Sequence, residues 1–218
     1  MKHIWCCLLF ILLTISCQTS TNKNTIEDYI FNQADYVLTI NNLENFKSNI
    51  TNNHFIDQLS NTTSYKNVSK KLELLEYIKS KQRVYINLSK GNNDSIQYSF
   101  VTKLNDSVFN LDSLKIKREP LKLKGVTVEK ISNNNQTVYV SKIGDILIGA
   151  NNVNHLQHLI NSNPDKNSIK KIIATQDQEA SFSVFINKDN GLNTVFKNNN
   201  LAFKNFTDYL TFDTEVSQ

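Results

Sequence analysis

The chain has 218 residues, with 24 Lys and Arg against 20 Asp and Glu, and only three cysteines. This length predicts one domain or slightly more, and 39% hydrophobic residues supply enough apolar material for a core. The small positive excess is spread along the chain without a basic run, so nucleic-acid binding is not expected. Cys6, Cys7 and Cys17 all lie at the N-terminus. A disulfide-stapled scaffold, a cysteine-ligated metal centre and a cysteine nucleophile are therefore excluded for the rest of the chain.

The first 16 residues have the pattern of a signal peptide. Lys2 supplies a positive start, and an apolar run from Ile4 to Leu13 follows. This run is much shorter than the ~20 residues that a helix needs to cross a bilayer. It therefore favours a cleaved leader over a permanent membrane span.

Ser16 and Cys17 resemble the lipobox of bacterial lipoproteins, in which a small residue precedes the cysteine that is lipidated. Thr14 departs from the usual Leu of that motif, although Leu13 lies one place earlier. The resemblance implies a diacylglyceryl group on Cys17 and cleavage before it, so that the partner is a membrane, reached through the lipid. An ordinary secretory leader cut near Ser16 or Ser20 is the alternative.

Residues 17–25 form a polar segment and predict a flexible tether between the lipid and the folded domain. Gln18 follows Cys17 where an inner-membrane lipoprotein of enterobacteria would have Asp. By that analogy we expect a protein in the cell envelope, anchored to the outer membrane and facing the periplasm.

Residues 26–179 predict one α+β domain with a largely antiparallel sheet, a meander, packed against a few helices. Two-residue periodicity, typical of half-buried strands, indicates strands over 34–40, 83–89, 95–104, 123–131, 137–142, 145–150 and 180–187. Apolar residues at helical spacing indicate helices over 43–59, 68–80 and 152–161. The stretch 105–121 has no clear pattern.

The strand predicted over 180–187 repeats the first one. Residues 34–41 and 180–187 share the pattern Ala-x-aromatic-x-aliphatic-x-Ile-Asn, although coincidence between two amphipathic strands is the alternative. Residues 180–218 then either add a strand to the sheet or begin a second unit, and on the latter hypothesis the sequence is a truncated part of a larger envelope protein. The layout, with the phrase Leu43-Glu44-Asn45-Phe46-Lys47, resembles large flavobacterial and other Bacteroidota envelope lipoproteins of unknown function.

The chemistry-bearing residues form no catalytic pattern. His155 and His158 lie three apart on a predicted helix that supplies no carboxylate, and His54 has no nucleophile beside it. No glycine-rich phosphate loop is present, because Gly144 and Gly149 have a spacing that suits strand turns. We therefore expect no cofactor, no metal and no enzymatic activity. A hydrolase using one of these histidines is the alternative.

Three Asp-Ser-aliphatic triplets resemble the O-glycosylation signal of exported Bacteroidota proteins. They place candidate acceptor hydroxyls at Ser95, Ser107 and Ser113, although Asp-Ser also opens turns. The sequence thus predicts a lipid-anchored envelope protein with a binding or scaffolding role and, beyond the membrane, an unknown envelope protein or a glycan as partner.

Overall fold

A computed structural model describes residues 25–92, 95–104, 116–123, 125–133, 135–161, 169–177, 179–187, 191 and 209–214. These residues form one nine-stranded sheet in the order β4-β5-β6-β7-β3-β2-β1-β8-β9, with helices beside it. Every neighbouring pair is antiparallel. The predicted α+β class is confirmed in this coarse form, and the sheet dominates.

The strands are β1 (Tyr36–Ile40), β2 (Val84–Lys90), β3 (Ile96–Lys103), β4 (Lys117–Leu123), β5 (Val126–Ser132), β6 (Thr137–Ile143), β7 (Ile146–Ala150), β8 (Phe182–Asn187) and β9 (Tyr209–Thr214). The α-helices are α1 (Leu43–Thr51), α2 (His54–Ser60), α3 (Thr63–Lys71), α4 (Val153–Asn161) and α5 (Ile169–Ile173). Two 3-10 helices, η1 (Ile26–Tyr29) and η2 (Glu73–Tyr77), complete the set. Among the described residues, no helix combines the length and apolar character needed to span a membrane.

Only part of the sheet is a meander. Strands β4 to β7 follow one another in chain order, and β2 and β3 form a separate hairpin. β3 pairs with β7, so the chain must cross from the middle of the sheet to its edge before β4 begins. β8 lies beside β1, which places the strand predicted over 180–187 within the same sheet.

One face of the sheet, the first face, is covered by η1, α4 and α5. Because alternate residues of a strand point to opposite faces, Val37, Tyr85 and Phe185 lie on this side. They share a buried cluster with Ile26 from η1 and Leu156 from α4. Lys170 in α5 adds an ion pair to Asp28 in η1, with 2.6 Å between Nζ and Oδ1.

The opposite face, the second face, is covered by α1, α3 and η2. Ile40, Ile86 and Phe100 from the strands form a second cluster with Leu43 from α1 and Leu74 from η2. The sheet is therefore the middle of three layers, with a core on each side of it.

The single helix predicted over 68–80 is wrong. The α-helix α3 begins earlier, at Thr63, and ends at Lys71, after which the chain tightens into η2. Gln136, in the turn between β5 and β6, provides the physical reason. Its side-chain Oε1 accepts from the Leu74 backbone N–H at 3.3 Å, and its Nε2 donates to the Lys70 carbonyl. Those two backbone groups would bond each other in a continuous α-helix, so the amide interrupts the ladder.

The strand predicted over 123–131 corresponds to β5, except that Leu123 belongs to the preceding strand β4. Gly125 has φ +86° and turns the chain between β4 and β5, a backbone conformation that glycine adopts without steric cost. The unpatterned stretch 105–121 therefore contains most of β4. The apolar alternation of β4 is weak because this strand is at the end of the described sheet and exposes Lys117, Arg118 and Pro120.

Candidate binding site

An apolar pocket lies between the second face of the sheet and the helices that cover it. It has a volume of about 290 Å³. Its floor is formed by Leu38, Ile40 and Ile86 of β1 and β2. Its walls come from α1, α3, η2 and the two residues that flank η2. Most wall residues are apolar or aromatic, namely Leu43, Phe46, Tyr65, Val68, Leu72, Leu75 and Ile78, and Lys47, Ser69 and Glu76 also line the pocket. The pocket is at the small end of the ~300–1,000 Å³ range of ligand sites.

Local sequence places these side chains around one space. Leu43 and Phe46 are three residues apart on α1, while Tyr65, Val68 and Leu72 repeat at helical spacing along α3, so each helix turns one apolar stripe toward the sheet. Asn42 and Thr62 begin the two helices, since their side chains accept hydrogen bonds from the Asn45 and Tyr65 backbone N–H groups.

The pocket reaches the surface beside α3. Val68 is 45% exposed and is one of two large hydrophobic side chains exposed among the described residues. At the other end, the ring of Phe46 packs edge-on against Phe182 of β8, with 5.1 Å between the ring centroids. An apolar ligand could therefore enter past Val68 and contact a wall that is itself fixed by packing.

Lys47 lies at the pocket wall, but its ammonium is already bound. Nζ donates to the carbonyls of Leu75, Glu76 and Ile78 at 3.1, 2.7 and 2.7 Å. It therefore caps the C-terminal end of η2, in addition to the bond that the Ile78 backbone N–H donates to the Leu75 carbonyl. Burial lowers the pKa of Lys47 to about 8, although the charges of Glu76 and Glu44 raise it, so the group is protonated at neutral pH. Lys47 shapes the wall and leaves the pocket interior apolar.

Larger cavities elsewhere have mixed linings, in which charged and polar side chains lie beside isoleucines. One of about 760 Å³ lies at the end of the sheet beside Glu27, Lys103 and Asp145. Another, of about 480 Å³, lies beside Lys70, Lys71 and Ser95. A ligand that enters such a cavity must displace water from charged groups, and this cost offsets the gain from apolar contact. The apolar pocket is the stronger binding candidate.

The histidines considered from the sequence do not meet one another around a nucleophile or carboxylate. His155 is buried against Phe31, with 4.6 Å between the ring centroids, and neither of its ring nitrogens has a hydrogen-bond partner. His158 is exposed near the same phenyl ring, and His54 lies exposed at the start of α2. Among the described residues, no three His, Cys, Asp or Glu side chains form a potential metal site.

The residues expected to carry modifications fall mostly outside the described part of the chain, which excludes Cys17, Ser107 and Ser113. Ser95 is described: it is exposed just before β3, and its hydroxyl donates to the Asn92 carbonyl at 2.7 Å.

Sequence reasoning had predicted the apolar stripes of β1, α1 and part of α3, but not that they enclose a pocket, and it assigned Lys47 no role. A lysine inside an apolar helical stretch was the available clue. Comparisons of the chain with protein-family models, curated proteins and solved structures find no match.

Proposed function

We propose that the chain is a lipid-anchored cell-envelope protein, held through Cys17, whose α+β domain binds a small apolar molecule in the pocket between α1, α3, η2 and the sheet. The role is binding and not catalysis. The observation that carries the binding role is the pocket itself, because it is concave, is lined mainly by apolar side chains and opens past Val68. The leader pattern over residues 1–16 and the polar tether over 17–25 support the anchor, and Gln18 in place of Asp supports, by analogy, an outer-membrane location facing the periplasm.

The size of the pocket sets the expected affinity. Each buried methylene contributes about 0.8 kcal/mol, so a ligand with about eight of them gains roughly 6 kcal/mol. Association costs at least ~4 kcal/mol, and little remains unless the ligand is rigid. We therefore expect a compact apolar ligand that is bound weakly, and not a long acyl chain.

A fluorescence titration tests the binding role. The probe is N-phenyl-1-naphthylamine, a neutral apolar fluorophore that brightens when it leaves water. Ser69 lines the pocket and Lys66 is exposed on the same helix. Ser69→Phe should fill the pocket and weaken binding at least tenfold, while Lys66→Phe should leave it unchanged. Equal binding by both variants, or no saturable binding by the unaltered chain, would contradict the proposal.

Metabolic labelling with a clickable fatty acid tests the anchor. Label should appear on the unaltered protein and disappear with Cys17→Ala. The double variant Cys6→Ala and Cys7→Ala is the matched control, because those residues are expected to leave with the leader, and its label should persist. Label that persists in the Cys17→Ala variant would contradict the proposed lipid anchor on Cys17.

A further inference from the structure

β1 and β8 are two copies of one sequence pattern, and they lie side by side. Their register pairs Tyr36 with Ile186, Leu38 with Val184 and Ile40 with Phe182. In the repeated pattern, Tyr36 matches Phe182, Leu38 matches Val184 and Ile40 matches Ile186. A two-fold rotation through the Leu38–Val184 pair, perpendicular to the sheet, therefore superposes each copy on the other.

The hydrogen bonds at the two ends of this strand pair follow the same rotation. The backbone N–H of Asn41 donates to the Ser181 carbonyl at 3.3 Å, and that of Asn187 donates to the Asp35 carbonyl at 2.9 Å. Asn41 matches Asn187 in the repeat, and Asp35 matches Ser181. Reciprocal bonds are general for an antiparallel pair, but here the register is centred so that they join matching residues of the two copies, which favours an internal duplication.

The side chains at the aromatic position also behave alike. Phe182 packs its ring on Phe46, which lies shortly after the first copy. Tyr36, its counterpart, donates its hydroxyl to the carbonyl of Gly191 at 3.1 Å, and Gly191 lies shortly after the second copy. Each aromatic residue thus contacts the segment that follows the other copy.

The correspondence extends to the next strand on each side. β2 pairs with β1 and places Ile86 opposite Leu38, while β9 pairs with β8 and places Phe212 opposite Val184. β9 is therefore the counterpart of β2. β2 is an interior strand with β3 on its other side, but β9 ends the described sheet. Accordingly Ile86 is 9% exposed and Phe212 is 49% exposed.

The two edges of the described sheet differ in their protection against pairing. β4 carries Lys117, Arg118, Pro120 and Lys122, and charged residues and proline are the usual means of blocking an edge. β9 has the sequence Tyr-Leu-Thr-Phe-Asp-Thr, with Asp213 as its single charge and no proline. The composition of β4 is thus typical of an edge strand, whereas the composition of β9 is typical of an interior strand.

We propose that β9 pairs with β9 of a second copy of this chain across a two-fold axis centred on Phe212. Such a pair is antiparallel by symmetry, like every other pair in the sheet. This register stacks the two exposed Phe212 rings across the strands and places Asp213 opposite Thr211 of the second copy, so the two carboxylates do not face each other. Pairing of β9 with β4 is disfavoured because Pro120 has no N–H to donate, so the contact closes as a dimer and does not extend into a filament.

Sedimentation equilibrium on residues 18–218, which include every described residue, tests this directly. A contact between six-residue strands is small, so the dimer should be weak. The apparent mass should rise from one chain toward two between about 10 µM and about 1 mM. Phe212→Lys, which places two ammonium groups at the centre of the interface, should keep the mass at one chain.

Cysteine cross-linking distinguishes lost pairing from lost folding. Residues 18–218 contain no cysteine, so Phe212→Cys introduces a single thiol, and residues directly opposite on antiparallel strands are within disulfide range. Phe212→Cys should oxidise to a covalent dimer. Val68→Cys, at the other exposed large hydrophobic residue, should remain a single chain. The proposal would be overturned by a one-chain mass at every concentration or by equal cross-linking of both variants. It would also be overturned by an in-frame continuation after the Gln218 codon whose strand occupies the β9 edge.

Discussion

Gly149 lies directly opposite Phe100 on the neighbouring strands β7 and β3, and the phenyl ring lies over the glycine. A Cβ atom added to Gly149 would overlap ring atoms of Phe100. The spacing of Gly144 and Gly149 suits strand turns, although Gly149 also lies in the strand predicted over 145–150, and the turn interpretation is correct for Gly144, which has φ +59° between β6 and β7. It is wrong for Gly149, which sits inside a strand so that an aromatic ring can pack on its backbone.

Gly149→Ala should therefore destabilise the fold by about 1–3 kcal/mol, the usual cost of forcing extra atoms into a packed core. Phe100→Leu removes the ring and should also destabilise. Together the two changes should cost less than the sum of the single variants, because the alanine then meets no ring. Urea denaturation of the four proteins measures this coupling.

Gly125→Ala is the control for that cycle. Nothing lies within 4 Å of a Cβ at Gly125, so any cost there comes from its positive φ. Phe100→Leu should leave that cost unchanged. Strict additivity between Gly149→Ala and Phe100→Leu would show that the ring contact is not the reason for the glycine.

Gln136 offers a second test, at the end of α3. In Gln136→Ala the Lys70 carbonyl and the Leu74 N–H lose the amide but can bond each other, so α3 should lengthen and stability should change by less than about 1 kcal/mol. In Gln136→Glu an oxygen replaces the donor to the Lys70 carbonyl, so this variant should be the less stable of the two. NMR chemical shifts over residues 70–77 report the helix, and urea denaturation reports stability. A Gln136→Ala variant that is less stable than Gln136→Glu and gains no helix would contradict the account.

Gly149 and Gln136 are two sites whose roles depend on contacts between distant parts of the chain, which local sequence patterns do not predict. β1, β6 and β8 alternate in part between buried and half-buried residues, and the two-residue period of their sequences predicts them, as it does β3, close to their observed bounds. The end of α3 was not predictable because the group that ends it, the amide of Gln136, comes from a distant turn. The first half of the β4–β5 hairpin was missed because an edge strand carries few apolar residues, although the glycine at position 125 was a usable turn signal.

The candidate pocket was predictable only in parts. The apolar stripes of α1 and α3 are visible from spacing, as is the floor position of Leu38. Their meeting depends on the crossing of helices over the sheet, and no local pattern encodes that. Lys47 is the clearest example, since its role comes from three carbonyls about thirty residues further along the chain.

Ser95 allows a test of the glycosylation hypothesis at a described position. The residue is exposed in the turn before β3, where a glycan would project into solvent. In a Bacteroidota host, Ser95→Ala should lower the intact mass of the mature protein by one glycan, as should Ser107→Ala and Ser113→Ala if those hydroxyls are acceptors. The measurement is the difference in intact mass between each variant and the unaltered protein, after allowance for the one oxygen atom that a Ser→Ala substitution itself removes. Masses equal to those calculated from the sequences for all three would remove the hypothesis.

His155 should make the fold sensitive to acid. Burial, and secondarily the charge of His158, lower the pKa of His155 from 6.5 to about 4. Below pH 6.5 the unfolded chain binds a proton that the folded chain excludes, so stability falls as the pH drops from about 6.5 to about 4. At 1.36 kcal/mol per pKa unit the loss is at most about 3 kcal/mol. Above pH 6.5 the imidazole is neutral in both states and contributes no pH dependence.

His155→Phe tests this without leaving a cavity, because an aromatic ring still packs on Phe31. Neither imidazole nitrogen has a hydrogen-bond partner, so the variant loses no bond and should be at least as stable as the unaltered chain at pH 7. Its advantage should grow steadily between pH 6.5 and pH 4, measured by urea denaturation at each pH. Carboxylates titrate in the lower part of this window in both proteins and cancel in the difference. His54→Gln changes an exposed histidine and is the control, since its difference in stability from the unaltered chain should not grow as the pH falls. If the stability advantage of His155→Phe stays constant with pH, the buried imidazole is not the acid-sensitive group.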